Sequence, residues 1–119
     1  MIEMIRKIFG VGRKADLKEL INSGAQIIDV RTREEYHRGH LTGSVNIPLQ
    51  SLSHHLSKIR KDKPVITCCA SGMRSASAKT YLQSHGFSQV YNGGGWPSLK
   101  HKNSQFIRII EKREGKQNS

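Results

Sequence analysis

One stretch of the chain carries residues that could do chemistry together: Cys68-Cys69-Ala70-Ser71-Gly72-Met73-Arg74-Ser75. A cysteine reacts as its thiolate, so the question is what would favour the charged form. Ala70, Ser71 and Gly72 are small, and a loop of small residues can curl until successive backbone N–H groups converge on one point. A helix that begins at about Arg74 or Ser75 aims its free N–H groups at the same point. These dipoles and the Arg74 charge stabilise an anion and lower the pKa of a cysteine at the rim. The pattern predicts nucleophilic sulfur chemistry on an anionic substrate.

Two registers fit the stretch. Cys69 to Arg74 makes a six-residue loop, and Cys68 to Arg74 spells Cys-x5-Arg, the longer loop of cysteine phosphatases and arsenate reductases, which fits a phosphate. In the longer register Gly72 falls at a poor position and no general acid is evident. Cys69 is therefore the favoured nucleophile, and Cys68 reads as a buried strand residue.

A loop of this kind must be held between a strand and a helix. Pro64 to Cys68 is β-branched and uncharged, as a buried strand requires, and Ser75 to His85 reads as a helix ended by Gly86. Upstream, Asp16 and Glu19 fit a capping box before a helix faced by Leu17, Leu20 and Ile21. Ile27 to Val30 is a strand, Thr32 to Arg38 a short helix ended by Gly39, and Val45 to Ile47 a brief strand stopped by Pro48. Leu49, Leu52, Leu56 and Ile59 predict another helix. Val90-Tyr91 begins a last strand, Asn92 to Gly95 reads as a turn, and residues 104–113 predict a terminal helix. Strands that alternate with helices imply an α/β domain whose parallel sheet is covered on both faces. Ligands of such sheets bind beyond the carboxyl ends of the strands, which is where the loop falls.

Composition narrows the setting. A chain of 119 residues allows one domain. Its net charge of +11 excludes an acidic chaperone-like chain and admits anionic substrates, acidic partner proteins, nucleic acid or a membrane surface. Residues 1–14 carry four bases and one acid, and residues 100–119 six bases and two acids, so the ends hold +7 of that charge. They read as a basic arm, 1–14, and a basic, partly helical tail, 99–119, around a domain over 15–98. These charges are expected to steer anionic encounter, not chemistry. No aromatic RNA-binding motif accompanies them, so nucleic acid is not expected. Two adjacent cysteines cannot staple distant segments, which predicts reduced thiols and a cytoplasmic protein. No apolar run approaches the roughly 20 residues of a spanning helix, and Met1 to Phe9 is not expected to act as a signal peptide.

The ordered string Asp29-Val30-Arg31, Glu35-Tyr36, Gly39-His40-Leu41, Gly43-Ser44, Asn46-Ile47-Pro48, Cys69 to Ser75, Gly86-Phe87 and Gly94-Gly95-Trp96 resembles the single-domain rhodaneses. The resemblance covers about residues 15–98. It implies a five-stranded parallel sheet with helices on both faces and a sulfurtransferase activity. Cys69 would be the catalytic residue that carries a persulfide, and Ala70, Ser71, Gly72, Met73 and Arg74 would form the substrate-binding loop. The implied partners are a small anionic sulfur donor such as thiosulfate and a protein or low-molecular-weight thiol, or cyanide, as acceptor. Neither metal nor organic cofactor is implied, and the six histidines show no metal-ligand spacing.

Other signals stay open. Arg74 is expected to face the anion or to brace the loop. Asp29, Arg31 and Glu35 are expected to form scaffold ion pairing. Trp96 could line the mouth of the site or pack beneath it. A partner-docking module without catalysis is the remaining alternative, and the intact Cys69 argues against it.

Overall fold

The computed structural model describes residues 16–99. The basic arm, the tail beyond Leu99 and the helix expected over 104–113 lie outside the described residues.

The chain alternates as its periodicity requires. Helix α1 (Leu17–Asn22) leads to strand β1 (Gln26–Asp29), helix α2 (Arg33–Arg38) and strand β2 (Val45–Asn46). Two 3₁₀ turns, Leu49–His54 and Leu56–Lys58, precede β3 (Val65–Cys69), α3 (Met73–Ser84) and β4 (Val90–Gly95). The four strands pair in parallel in the order β2-β1-β3-β4. The fifth strand implied by the family resemblance is not among the described residues.

Every residue of β3 is buried, as a central parallel strand covered on both faces must be. Alternation along the strands then sends neighbours to opposite faces. On one face Ile28, Val65, Cys69 and Val90 pack with Ala78 and Leu82 of α3, with Phe87, with Leu52 of the first 3₁₀ turn and with Ile59 just after the second. On the other, Ile27, Ile66 and Cys68 pack with Leu41 and Leu99, with Leu17, Leu20 and Ile21 of α1 against them. Leu99, the first residue of the expected tail, is fully buried in this second cluster.

Three local expectations differ from what is observed. The Asp16 carboxylate accepts from the Glu19 N–H at 3.2 Å, but the reciprocal capping box is the one between Thr32 and Glu35. The segment after Pro48 winds as 3₁₀ turns in place of an α-helix. Its bonds run three residues back, as from His55 N–H to Leu52 O and from Ile59 N–H to Leu56 O. Ser51, Ser53, His54, His55 and Ser57 give it little intrinsic α-helical preference, and Leu52 and Ile59 are buried all the same. Asn92 to Gly95 is strand, not turn. A Cβ on Gly95 would lie 2.8 Å from the Ala70 carbonyl oxygen, so glycine there lets β4 run close beside the chain leaving β3.

Candidate active site

Cys69 is the last residue of β3, and its Cα pairs with Gly95 of β4 across a register shift that follows Thr67. The chain then turns through Ala70 and Ser71 into Gly72, the N-cap of α3, whose φ of 105° is open to glycine at no cost and strained for other residues. That turn folds the loop back over the sulfur. The Gly72 N–H donates to Cys69 Sγ at 2.9 Å and the Ser75 N–H at 3.4 Å, with Ser75 Oγ 3.5 Å away. Burial on its own pushes the Cys69 thiol up. Hydrogen bonds from the Ser75 hydroxyl and from the Ser75, Gly72 and Ser71 N–H groups outweigh it, so the net shift is downward.

Cys68 faces the opposite way, among Ile27, Leu41, Ile66 and Leu99. Burial, and then the nearby Asp29 charge, push its thiol up to about 12. Both cysteines are free. The loop N–H groups therefore surround the sulfur of Cys69 and not that of Cys68, as strand alternation dictates.

Ala70, Ser71 and Met73 are exposed, Met73 by 79%, whereas Cys69 beneath them is 0% exposed. Arg74 is engaged by a carboxylate of another helix. Its Nη1 and Nη2 bind the two carboxylate oxygens of Glu35 at 2.6 and 2.9 Å, a bidentate pair between α3 and α2. The pair and the Thr32 N–H hold the Glu35 carboxyl down at about 2, and the same contact raises Arg74. Of the two roles expected for Arg74, bracing is the one this geometry displays.

A second layer holds α2 in place. Asp29 and Arg31 are buried and joined by three hydrogen bonds of 2.8 to 3.1 Å from the Arg31 guanidinium. The same guanidinium donates to the Glu35 carbonyl at 3.2 Å and to the Gly39 carbonyl at 2.7 Å. It also lies 4.9 Å over the Trp96 ring. A continuous chain of contacts thus runs from β1 through Arg31 and Glu35 to Arg74 at the start of α3.

Two contributors escaped the sequence reading. Thr67 Oγ1 donates to the Ser75 carbonyl at 2.8 Å and ties α3 to β3. Asn92 reaches Ser75 Oγ at 2.6 Å and the Gly72 carbonyl at 3.2 Å from β4. Ser75 stood at the end of the motif, but Asn92 lay hidden in a glycine run read as a turn. Its place directly after Val90 and Tyr91 marks the start of a strand, but not that the strand continues beside the loop.

A parallel α/β sheet thus ends one of its inner strands on a cysteine whose sulfur is met by N–H groups from the loop and first turn of the next helix. Residues 13–102 match the rhodanese-like domain family, and the chain belongs to that family. It is 37% identical over 81 residues to the thiosulfate sulfurtransferase GlpE of Stutzerimonas stutzeri, a match that covers 67% of this chain and 74% of the relative. It is 43% identical over 68 residues to the uncharacterized protein YqhL of Bacillus subtilis; this match covers 57% of this chain and about half, 54%, of that longer protein. Among solved structures, a rhodanese with anions from E. coli superposes with a TM-score of 0.59 at 33% identity, covering 62% of this chain and 89% of that one. Reduced Bacillus anthracis CoADR-RHD gives 0.62 at 33% identity, covering 71% of this chain and 15% of that much longer chain.

Proposed function

We propose that the protein is a sulfurtransferase that carries a sulfane sulfur as a persulfide on Cys69. The observation that supports this most is the convergence of the Gly72 and Ser75 N–H groups on Cys69 Sγ, at 2.9 and 3.4 Å. Donors so arranged stabilise negative charge on sulfur in a site that excludes water. The relationship to thiosulfate sulfurtransferases points to the same chemistry.

The reaction balances in two displacements. The Cys69 thiolate attacks the outer sulfur of thiosulfate. A new S–S bond forms, the donor's S–S bond breaks, and sulfite leaves with the electron pair. The anionic persulfide stays on Cys69, held by the loop N–H groups. Cyanide or a thiolate then attacks the terminal sulfur, and the Cys69 thiolate returns as leaving group. No electrons are gained or lost overall, so the reaction calls for no redox cofactor. Cys69 is covered in this structure, so the loop from Ala70 to Met73 must yield for the donor sulfur to reach it.

In this reading the loop N–H groups of Ala70, Ser71, Gly72 and Met73 bind the donor's charge. Arg74 is spent on Glu35 and acts by fixing the loop. A persulfide enzyme of this kind works in a reducing compartment such as the cytoplasm, where thiols stay free. No helix among the described residues is long and apolar enough to cross a membrane. The test is incubation with thiosulfate and cyanide, with thiocyanate as the readout and an aryl phosphate run in parallel. Thiocyanate production lost in Cys69→Ser is expected. Phosphate release without thiocyanate would overturn the reading.

A further inference from the structure

Ser75 Oγ has one hydrogen and three acceptors within reach. These are Asn92 Oδ1 at 2.6 Å, the Gly72 carbonyl at 3.0 Å and Cys69 Sγ at 3.5 Å. The hydrogen can serve one of them well at a time. While Cys69 is a thiol, the bonds run in one direction. The S–H donates to Ser75 Oγ, and the Ser75 hydroxyl donates to Asn92 Oδ1. Once Cys69 is a thiolate it only accepts, and the Ser75 hydrogen stabilises it only by turning away from Asn92.

We propose that Asn92 is a positioning residue that competes with Cys69 for the Ser75 hydrogen, holding it in the thiol state and yielding it to the thiolate. Asn92 is built to hold one orientation. Its Oδ1 also accepts from the Gly94 N–H at 2.9 Å, which fixes the oxygen end, and its Nδ2 donates to the Gly72 carbonyl at 3.2 Å. When the Ser75 hydrogen leaves, Oδ1 keeps the Gly94 donor, so yielding leaves no orphaned acceptor. The asparagine sets how readily the sulfur ionises, and it does so through Ser75 without touching the sulfur.

The charged and titratable groups around Cys69 leave this competition visible. From α3 come Arg74, tied to Glu35 of α2, and Tyr81, which packs against the core cluster that holds Cys69. From the end of β1 comes Asp29, paired with Arg31 two residues on. From β3 comes Cys68, on the opposite face, and from β4 Tyr91, which packs on that opposite face too.

The proposal rests on Cys69 being the reacting thiol, but its test does not need turnover. The rate of alkylation by iodoacetamide is followed against pH, with Cys69→Ser as the background. Asn92→Ala removes the competing acceptor and is expected to lower the Cys69 midpoint by about 0.5 pH unit, the scale of one exchanged hydrogen bond. Asn92→Asp supplies a stronger acceptor and a negative charge and is expected to raise it. In a Ser75→Ala background Asn92→Ala is expected to move nothing further. In the unaltered protein the Asn92 side-chain carbonyl resonance is expected to shift with the Cys69 midpoint, and to stop doing so in Ser75→Ala. A midpoint that rises or holds in folded Asn92→Ala would overturn the proposal. So would an equal shift without Ser75, or an Asn92 resonance that ignores the titration. Failure of sulfur transfer with these shifts intact would count against the persulfide function and not against Asn92.

Discussion

Arg74 and Glu35 meet through two hydrogen bonds of 2.6 and 2.9 Å, so the residue that ends the cysteine loop is clamped to a different helix 39 positions earlier in the chain. Both partners are only partly buried, at 37% and 28% side-chain exposure, so their Coulomb attraction is screened. The value of the pair is geometric: it fixes where α3 begins, and with it the N–H groups that face Cys69.

It follows that Arg74→Ala and Glu35→Gln should impair the same thing. Each is expected to lower kcat/KM for thiosulfate about tenfold, the effect of one lost charge-assisted contact, and the double variant should fall little further. Steady-state assay of the three variants checks this. Additive losses would mean that Arg74 also binds the donor directly.

The same carboxylate gives the fold a pH dependence with a definite sign. Glu35 is held down at about 2, below its ordinary 4.5, so the folded state favours its charged form. Its contribution is fully present above about 4.5 and is lost as pH falls toward 2. Melting temperatures should therefore drop over that window in the unaltered protein, and Glu35→Gln should flatten the Glu35 share of the drop. Identical acid profiles for the two proteins would remove the pair from the stability account.

Beneath that pair, Asp29 and Arg31 are a buried couple with all their polar contacts internal to the scaffold. Asp29→Asn would leave the Arg31 charge buried against a neutral partner. The expected cost is about 3–5 kcal/mol of stability, read by denaturant unfolding. A loss under about 1 kcal/mol would show that solvent or the Trp96 ring compensates the guanidinium.

Gly72 is the loop position least open to substitution. Its φ of 105° lies where L side chains are strained, so Gly72→Ala should cost about 1–2 kcal/mol or push the loop into another shape. Since its N–H is the nearest donor to Cys69 Sγ, the second outcome should raise the Cys69 alkylation midpoint. A variant with unchanged stability and midpoint would show that the turn tolerates a side chain.

Much of this was legible in the sequence because it depends on near neighbours. The loop from Cys69 to Arg74, the Thr32 start and Gly39 end of α2, and the buried run Val65–Cys69 all follow from local composition and spacing. Strand alternation then separates Cys68 from Cys69 with no further information. The Leu49–His54 segment had the apolar spacing of a helix, but its serines and histidines left 3₁₀ bonding to win. What could not be read were pairings fixed by tertiary approach. Glu35 was recognisable as scaffold, yet its partner Arg74 is set by how α2 meets α3. Asn92 looked like turn chemistry because nothing local reveals that its glycine neighbours permit a strand beside the loop.

The persulfide itself is the most direct object of measurement. The protein is treated with thiosulfate and its intact mass is compared with that of Cys69→Ser and Cys68→Ser. A gain of one sulfur atom is expected in the unaltered protein and in Cys68→Ser, and none in Cys69→Ser. A sulfur adduct that persists in Cys69→Ser and vanishes in Cys68→Ser would contradict the assignment of Cys69 as the sulfur carrier.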